Sequence, residues 1–107
     1  MKFYPTTPPV SVLNEGDIIP NKFVIFQNYP NPFNPTTEIR FEVPVSGFVS
    51  LKVYNVLGRE IATIVNEQKN PGAYSVQWNA SAQPSGVYYY RMLTGSFSET
   101  KKLVLVR

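Results

Sequence analysis

The sequence predicts an all-β protein, an Ig-like antiparallel β-sandwich of about seven strands. Three observations carry this. Apolar and polar residues alternate with a period of two in segment after segment, the segments recur at intervals of about ten to twelve residues, and Gly, Pro, Asn and Ser punctuate them. No segment shows the apolar period of an amphipathic helix.

Taken in order, residues 1–20, MKFYPTTPPVSVLNEGDIIP, read as a linker. Its Pro-Thr-Thr-Pro-Pro run is extended and semi-rigid, and Asn14-Glu15-Gly16-Asp17 is turn-like. A single domain is expected over residues 21–107, with a first strand at 22–27. There follows NYPNPFNP, residues 28–35, three prolines and three asparagines in eight positions. Each proline removes an amide donor and pushes the residue before it, Tyr29, Asn31 or Asn34, toward extended geometry. Asparagine side chains add local bonds to the backbone that favour turns. Two readings stand side by side: a rigid ordered loop that serves the fold, or a rigid surface that a partner reads.

The second strand is expected at 38–43, with Ile39, Phe41 and Val43 on one face, before a turn at Pro44-Val45-Ser46-Gly47. The third, 48–54, turns Val49, Leu51 and Val53 inward and Ser50, Lys52 and Tyr54 outward. Leu57-Gly58 makes a tight turn into a fourth at 59–65. Pro71-Gly72 opens a fifth, on which Tyr74, Val76 and Trp78 share a face. Ser85-Gly86 opens a sixth at 87–93, Thr94-Gly95-Ser96 turns it, and the last runs over 97–106. On the sixth, either Tyr88, Tyr90 and Met92 or Val87 and Tyr89 face the core. The first arrangement keeps Arg91 in water, and burying an unpaired guanidinium is costly, so that arrangement is expected.

Composition excludes several functions. With 107 residues, 43% of them hydrophobic and 14% aromatic, the chain can bury one real core and has no room for a second. The net charge is +3, yet only Lys101 and Lys102 of the ten basic residues are adjacent, so the concentrated basic stripe of a nucleic-acid binder is missing. No apolar run has the length of a signal peptide or a membrane span, so no usual N-terminal export signal and no membrane insertion are expected. Without cysteine or histidine there is no thiol nucleophile, no usual general base and neither of the best transition-metal ligands. Glu38 and Glu42, four apart on one strand face, sit roughly 13 Å from each other at about 3.3 Å per residue, too far for a paired-carboxylate site. Glu15 and Asp17 lack the run of oxygen ligands a calcium loop needs. Neither catalysis nor a cofactor is expected. The aromatics offer one further possibility: Trp78 and the Tyr88-Tyr89-Tyr90 run could form a carbohydrate-stacking platform, although alternation sends Trp78 inward and leaves only Tyr89 outward.

Several motifs occur together in a fixed order. They are Ile19-Pro20, QNYPNPFNP at 27–35, Val53-Tyr54-Asn55-Val56-Leu57-Gly58, Pro71-Gly72 with Val76-Gln77-Trp78, Ser85-Gly86-Val87-Tyr88, and Lys102-Leu103-Val104-Leu105 with a basic Arg107. Over residues 19–107 this pattern closely resembles the type A C-terminal sorting domain of the type IX (Por) secretion system. The resemblance implies a delivery tag rather than a working enzyme, borne at the end of varied secreted proteins of Bacteroidota and relatives. Its implied partners are the outer-membrane translocon of that system and a sortase-like peptidase that removes the domain and links the cargo to the cell surface. The implied route passes through the periplasm to the surface or the extracellular space. The residues of this chain that match the motifs, and so stand as candidates for partner recognition, are Asn28, Pro30, Asn31, Pro32, Phe33, Asn34, Pro35, Gly58, Gly86, Tyr88, Lys102 and Arg107. Compared with a full-length member these residues hold no signal peptide and no cargo, so the chain reads as an excised fragment with an artificial start at Met1. Two rivals share the expected architecture. The segment VYNVLGREIATIVNEQKNPGAYSVQWN is similar to part of the Ig-like domain of flagellar hook-capping proteins, and a carbohydrate-binding module would use Tyr89.

Overall fold

The computed structural model describes residues 19–107. The period-two pattern becomes seven strands: β1 (Val24–Ile25), β2 (Thr36–Val43), β3 (Gly47–Tyr54), β4 (Glu60–Lys69), β5 (Gly72–Asn79), β6 (Gly86–Thr94) and β7 (Phe97–Leu105). They form a three-stranded sheet in the order β1-β2-β5 and a four-stranded sheet in the order β4-β3-β6-β7, with every ladder antiparallel. The linker expected over residues 1–20 lies outside the described residues, apart from Ile19 and Pro20.

The two sheets bury the faces that alternation assigns to the core. Ile39, Phe41 and Val43 of β2 meet Val49, Leu51 and Val53 of β3, Tyr90 and Met92 of β6, and Leu103 of β7, all with no exposed surface. Each such side chain contributes about 1.5–3 kcal/mol by leaving water, and that burial fixes which face turns inward. Tyr88, Tyr90 and Met92 point into the core, as the reading of the sixth strand expects. Trp78 is also buried, whereas Tyr74 and Val76 on the same face stay half-buried because β5 is an edge strand.

Three expectations need correction. The first strand covers two residues, not 22–27. Phe26 N–H still donates to Arg40 O at 2.9 Å, but Gln27 and Asn28 then turn toward the other sheet, Gln27 Nε2 donating to Lys102 O at 2.7 Å and Asn28 N–H to Tyr90 Oη at 2.8 Å. The fourth strand runs on to Lys69, past the expected end at Val65. Residues 66–69 have no apolar alternation, and their pairing with Gly47, Phe48, Val49 and Ser50 is held by the backbone ladder alone. Arg91 does face away from the core, yet it is half-buried against Tyr54 instead of standing in water.

Candidate functional site

The proline-asparagine box joins β1 to β2, both in the three-stranded sheet, and on the way crosses to the edge of the other sheet. Phe33 forms a parallel bridge with Leu105: its N–H donates to Val104 O at 2.9 Å, and Val106 N–H donates back to Phe33 O at 2.9 Å. The Asn31 side chain adds a third bond, Oδ1 accepting Val104 N–H at 2.9 Å. Closer to β2, Tyr29 and Glu38 exchange two backbone bonds of 2.9 Å. The peptide bonds before Pro30, Pro32 and Pro35 are all cis. Through its hydrogen bonds to Val104, Val106 and Glu38, the box is a splint across the open side of the sandwich, and it covers the end of β7, whose bare edge would otherwise invite pairing with other chains.

A buried polar chain anchors the splint. Asn28 is 2% exposed, and its Nδ2 donates to Thr37 Oγ1 at 2.9 Å and Pro30 O at 3.1 Å, while its Oδ1 accepts Gln27 Nε2 at 2.6 Å. Thr37 Oγ1 donates in turn to Pro30 O at 2.9 Å. At the other end the Tyr90 hydroxyl accepts Asn28 N–H and donates to Phe26 O at 2.7 Å. Burial pushes the Tyr90 phenol up to about 12, opposed by the Asn28 N–H bond and reinforced by the charge of Glu99, so it stays neutral at physiological pH. A chain in which buried donors and acceptors satisfy one another is rigid, because opening any link strands a desolvated group.

Beside this chain lies an aromatic row. The buried ring of Phe33 packs on Trp78, with centroids 5.8 Å apart, and Trp78 meets Tyr88 edge-on at 5.8 Å. The Tyr88 hydroxyl donates to Pro84 O at 2.5 Å in the β5–β6 loop. Arg107 closes the same loop. Its guanidinium donates to Ala80 O at 3.1 Å, to Gln83 O at 2.7 Å from Nη2 and 3.0 Å from Nε, and to Ser81 O. Ala80 N–H donates to Pro35 O at 2.8 Å, which ties that loop back to the box.

The motif residues thus divide. Asn28, Phe33 and Tyr88 are buried, and Asn31 and Arg107 are exposed but bonded within the chain. Pro30, Pro32, Asn34 and Lys102 are exposed, and Pro35 is half-buried. Gly86 opens β6 opposite Leu105. Gly58 sits in the β3–β4 turn at φ 82°, a conformation that side-chain-bearing residues resist. That turn is folded by Asn55, whose Oδ1 accepts the N–H groups of Leu57 and Arg59, both at 3.0 Å. Strand register sets the turn at the same end of the four-stranded sheet as Gly86, since Tyr54 faces Tyr89.

Two residues of the site escape the sequence reading. Thr37 has the parity of Ile39, Phe41 and Val43, a signal that was available, but the strand was expected to start one residue later. Tyr29 is 79% exposed on the outer side of the box, and nothing in the alternation announces it. The carboxylates go elsewhere: Glu60, Glu67 and Glu99 pair with Lys52, Lys69 and Lys101 at 3.3, 2.7 and 3.2 Å, and Glu38 accepts the Ser75 hydroxyl.

Comparison with known proteins agrees with this arrangement. No curated protein matches the chain. Two solved structures from Porphyromonas gingivalis share its fold. One is dimeric latent PorU, with a TM-score of 0.61 and 16% identity over 79% of this chain and 9% of that one. The other is PorZ, described as an essential bacterial surface component of the type IX secretion system, with a TM-score of 0.53 and 21% identity over 81% of this chain and 12% of PorZ. The chain therefore spans only a small part of either protein, and at these identities the likeness is one of fold. Residues 27–106 match the family described as the secretion system C-terminal sorting domain. The match starts at the box and ends on the last strand, the two elements that the hydrogen bonds join, and the chain belongs to the family of secretion system C-terminal sorting domains.

Proposed function

We propose that this sorting signal works through the type IX system: it carries a protein attached upstream from the periplasm across the outer membrane, and a sortase-like peptidase then cuts it off and fixes the cargo at the surface. The observation that carries the reading is the family match from the box to β7. The machinery reads the exposed heads of the splint, namely Pro30, Pro32, Asn34 and Lys102, with Tyr29 beside them. Asn28, Phe33, Tyr88 and Arg107 build and hold that surface, and Gly58 shapes the separate β3–β4 turn. A rigid recognition surface loses little conformational entropy on binding, and the splint supplies that rigidity. The folded domain covers residues 21–107, and cleavage falls in the linker before Lys22, since the later chain is committed to strands and tight turns.

The test fuses residues 14–107 to a reporter that has its own signal peptide, in a host with a type IX system. The reporter is expected outside the outer membrane. Tyr29→Ala and Lys102→Ala, which remove exposed side chains, are expected to lower export while the domain melts as the parent does. If the intact fusion stays in the periplasm while control cargo is exported, the type IX assignment fails. Mass spectrometry of released cargo places the cut, and a terminus within residues 38–106 would contradict the linker site.

A further inference from the structure

The outer face of the four-stranded sheet carries a groove of about 320 Å³ lined by Tyr54, Asn55, Val56, Tyr89, Arg91 and Thr100. Arg91 is its centre. The guanidinium carbon lies 5.2 Å from the centre of the Tyr54 ring, and Nη2 donates to Tyr54 Oη at 3.3 Å. Nε is buried without an acceptor, and among the described residues no carboxylate is in ion-pair range of Arg91. A half-buried guanidinium has lost part of its hydration, and a lone phenol does not replace it, so the site favours an added anion. The surrounding charge has the same sign. Lys102 lies across from Tyr89 on the neighbouring strand, and the carboxylate of Glu60 is already occupied by Lys52 and the Thr63 hydroxyl.

Geometry also selects what carries the anion. Arg91 covers one face of the Tyr54 ring, which leaves half-buried Tyr89 as the remaining ring of the groove, short of the paired platform that stacking a neutral sugar calls for. The rim is apolar: Val56 is 66% exposed and Leu57 82% exposed on the β3–β4 turn. A carboxylate slot beside an exposed apolar tip fits a chain in which acidic and apolar side chains alternate on short spacing. We propose that this groove binds an acidic peptide segment, with an Asp or Glu carboxylate taking the terminal Nη donors of Arg91, the Nε being sealed from solvent, and a neighbouring apolar side chain resting on Val56 and Leu57. The proline-asparagine box does not line this groove; Gly58 in its lining and Lys102 beside it are shared with the sorting reading, so peptide binding by the isolated chain is measured apart from export.

The experiment titrates the isotope-labelled full chain with an acetylated, amidated hexapeptide of alternating Glu and Val, and follows amide chemical shifts. Saturable shifts are expected at residues 54–59 and 89–91. Replacing Glu by Gln in the peptide, or Arg91→Gln in the protein, is expected to weaken binding about tenfold or more, with Arg91→Lys in between because it keeps the charge but loses the fork. Leu57→Ser, at an exposed turn position that cannot unfold the sheet, is expected to weaken binding about threefold. Absence of saturable shifts at millimolar peptide overturns the proposal, as does equal binding of the Gln peptide or binding that is indifferent to both Arg91→Gln and Leu57→Ser. Tighter, Arg91-dependent binding of an oligogalacturonate would place a carboxylated sugar in the groove and overturn the peptide assignment.

Discussion

Tyr90 shows how much one side chain carries. Tyr90→Phe keeps the ring and removes the hydroxyl, which strands the Asn28 N–H and the Phe26 carbonyl. The expected loss is about 1–3 kcal/mol in urea melts. The same hydroxyl gives stability a pH dependence. Its folded pKa of about 12 lies above the ordinary phenol value of 10.0. The folded form holds the proton more tightly, so this contribution is whole below pH 10 and is lost as pH rises from 10 through 12. Stability of the parent should fall relative to Tyr90→Phe across that window, and parallel curves would mean that the phenol is not desolvated. Trp78→Ala should cost roughly 3–5 kcal/mol, because it opens a void between Phe33 and Tyr88. Arg107 is the residue whose expected role changes most. A basic terminal residue reads as a recognition element, yet its guanidinium already serves the carbonyls of Ala80, Ser81 and Gln83. Arg107→Ala is expected to cost about 1 kcal/mol, against under about 0.5 kcal/mol for Lys102→Ala. Of these two basic residues, Lys102 is thus the cleaner probe of recognition.

At the scale of elements, the box and β7 behave as one unit. Asn31→Ala removes the acceptor of the Val104 N–H, and it should lower stability by about 1 kcal/mol and speed hydrogen exchange at Val104. Asn31→Asp keeps an acceptor at the same place and should leave that exchange protected. Equal exchange in parent and Asn31→Ala would show that the side chain is not holding the strand. The strands themselves were legible in the sequence where position follows from alternation within eight or nine residues, as in β2, β3 and β6. The shortness of β1 was not legible. It depends on Gln27 and Asn28 leaving the ladder for Lys102 and Tyr90, partners 75 and 62 residues away. For the box, prolines and asparagines announced rigidity, but what the rigid loop grips lies 73 residues on, at Val104. The polar end of β4 was missed for a related reason, since residues that pair through the backbone alone leave no apolar trace.

In the whole molecule, the two sheets are closed on one side by a segment of the first third and a segment of the last few residues. Deleting residues 103–107 is therefore expected to do more than shorten a strand. It removes the buried Leu103 and Leu105, frees Phe33 from its bridge, and takes away the Arg107 clasp on the β5–β6 loop. The truncated chain should melt at lower urea with a broadened transition and bind a hydrophobic dye, and a parent-like sharp melt would mean that the splint is dispensable. The order of synthesis gives the Phe33–Leu105 bridge a further meaning. The ribosome makes the box early and then must add seventy-odd residues before Val104 and Val106 emerge to meet it. A chain cut short by a premature stop holds every letter of the box and still cannot assemble it. The assembled bridge thus reports that translation has passed Val106, and a product truncated before that point lacks the strand on which the box closes.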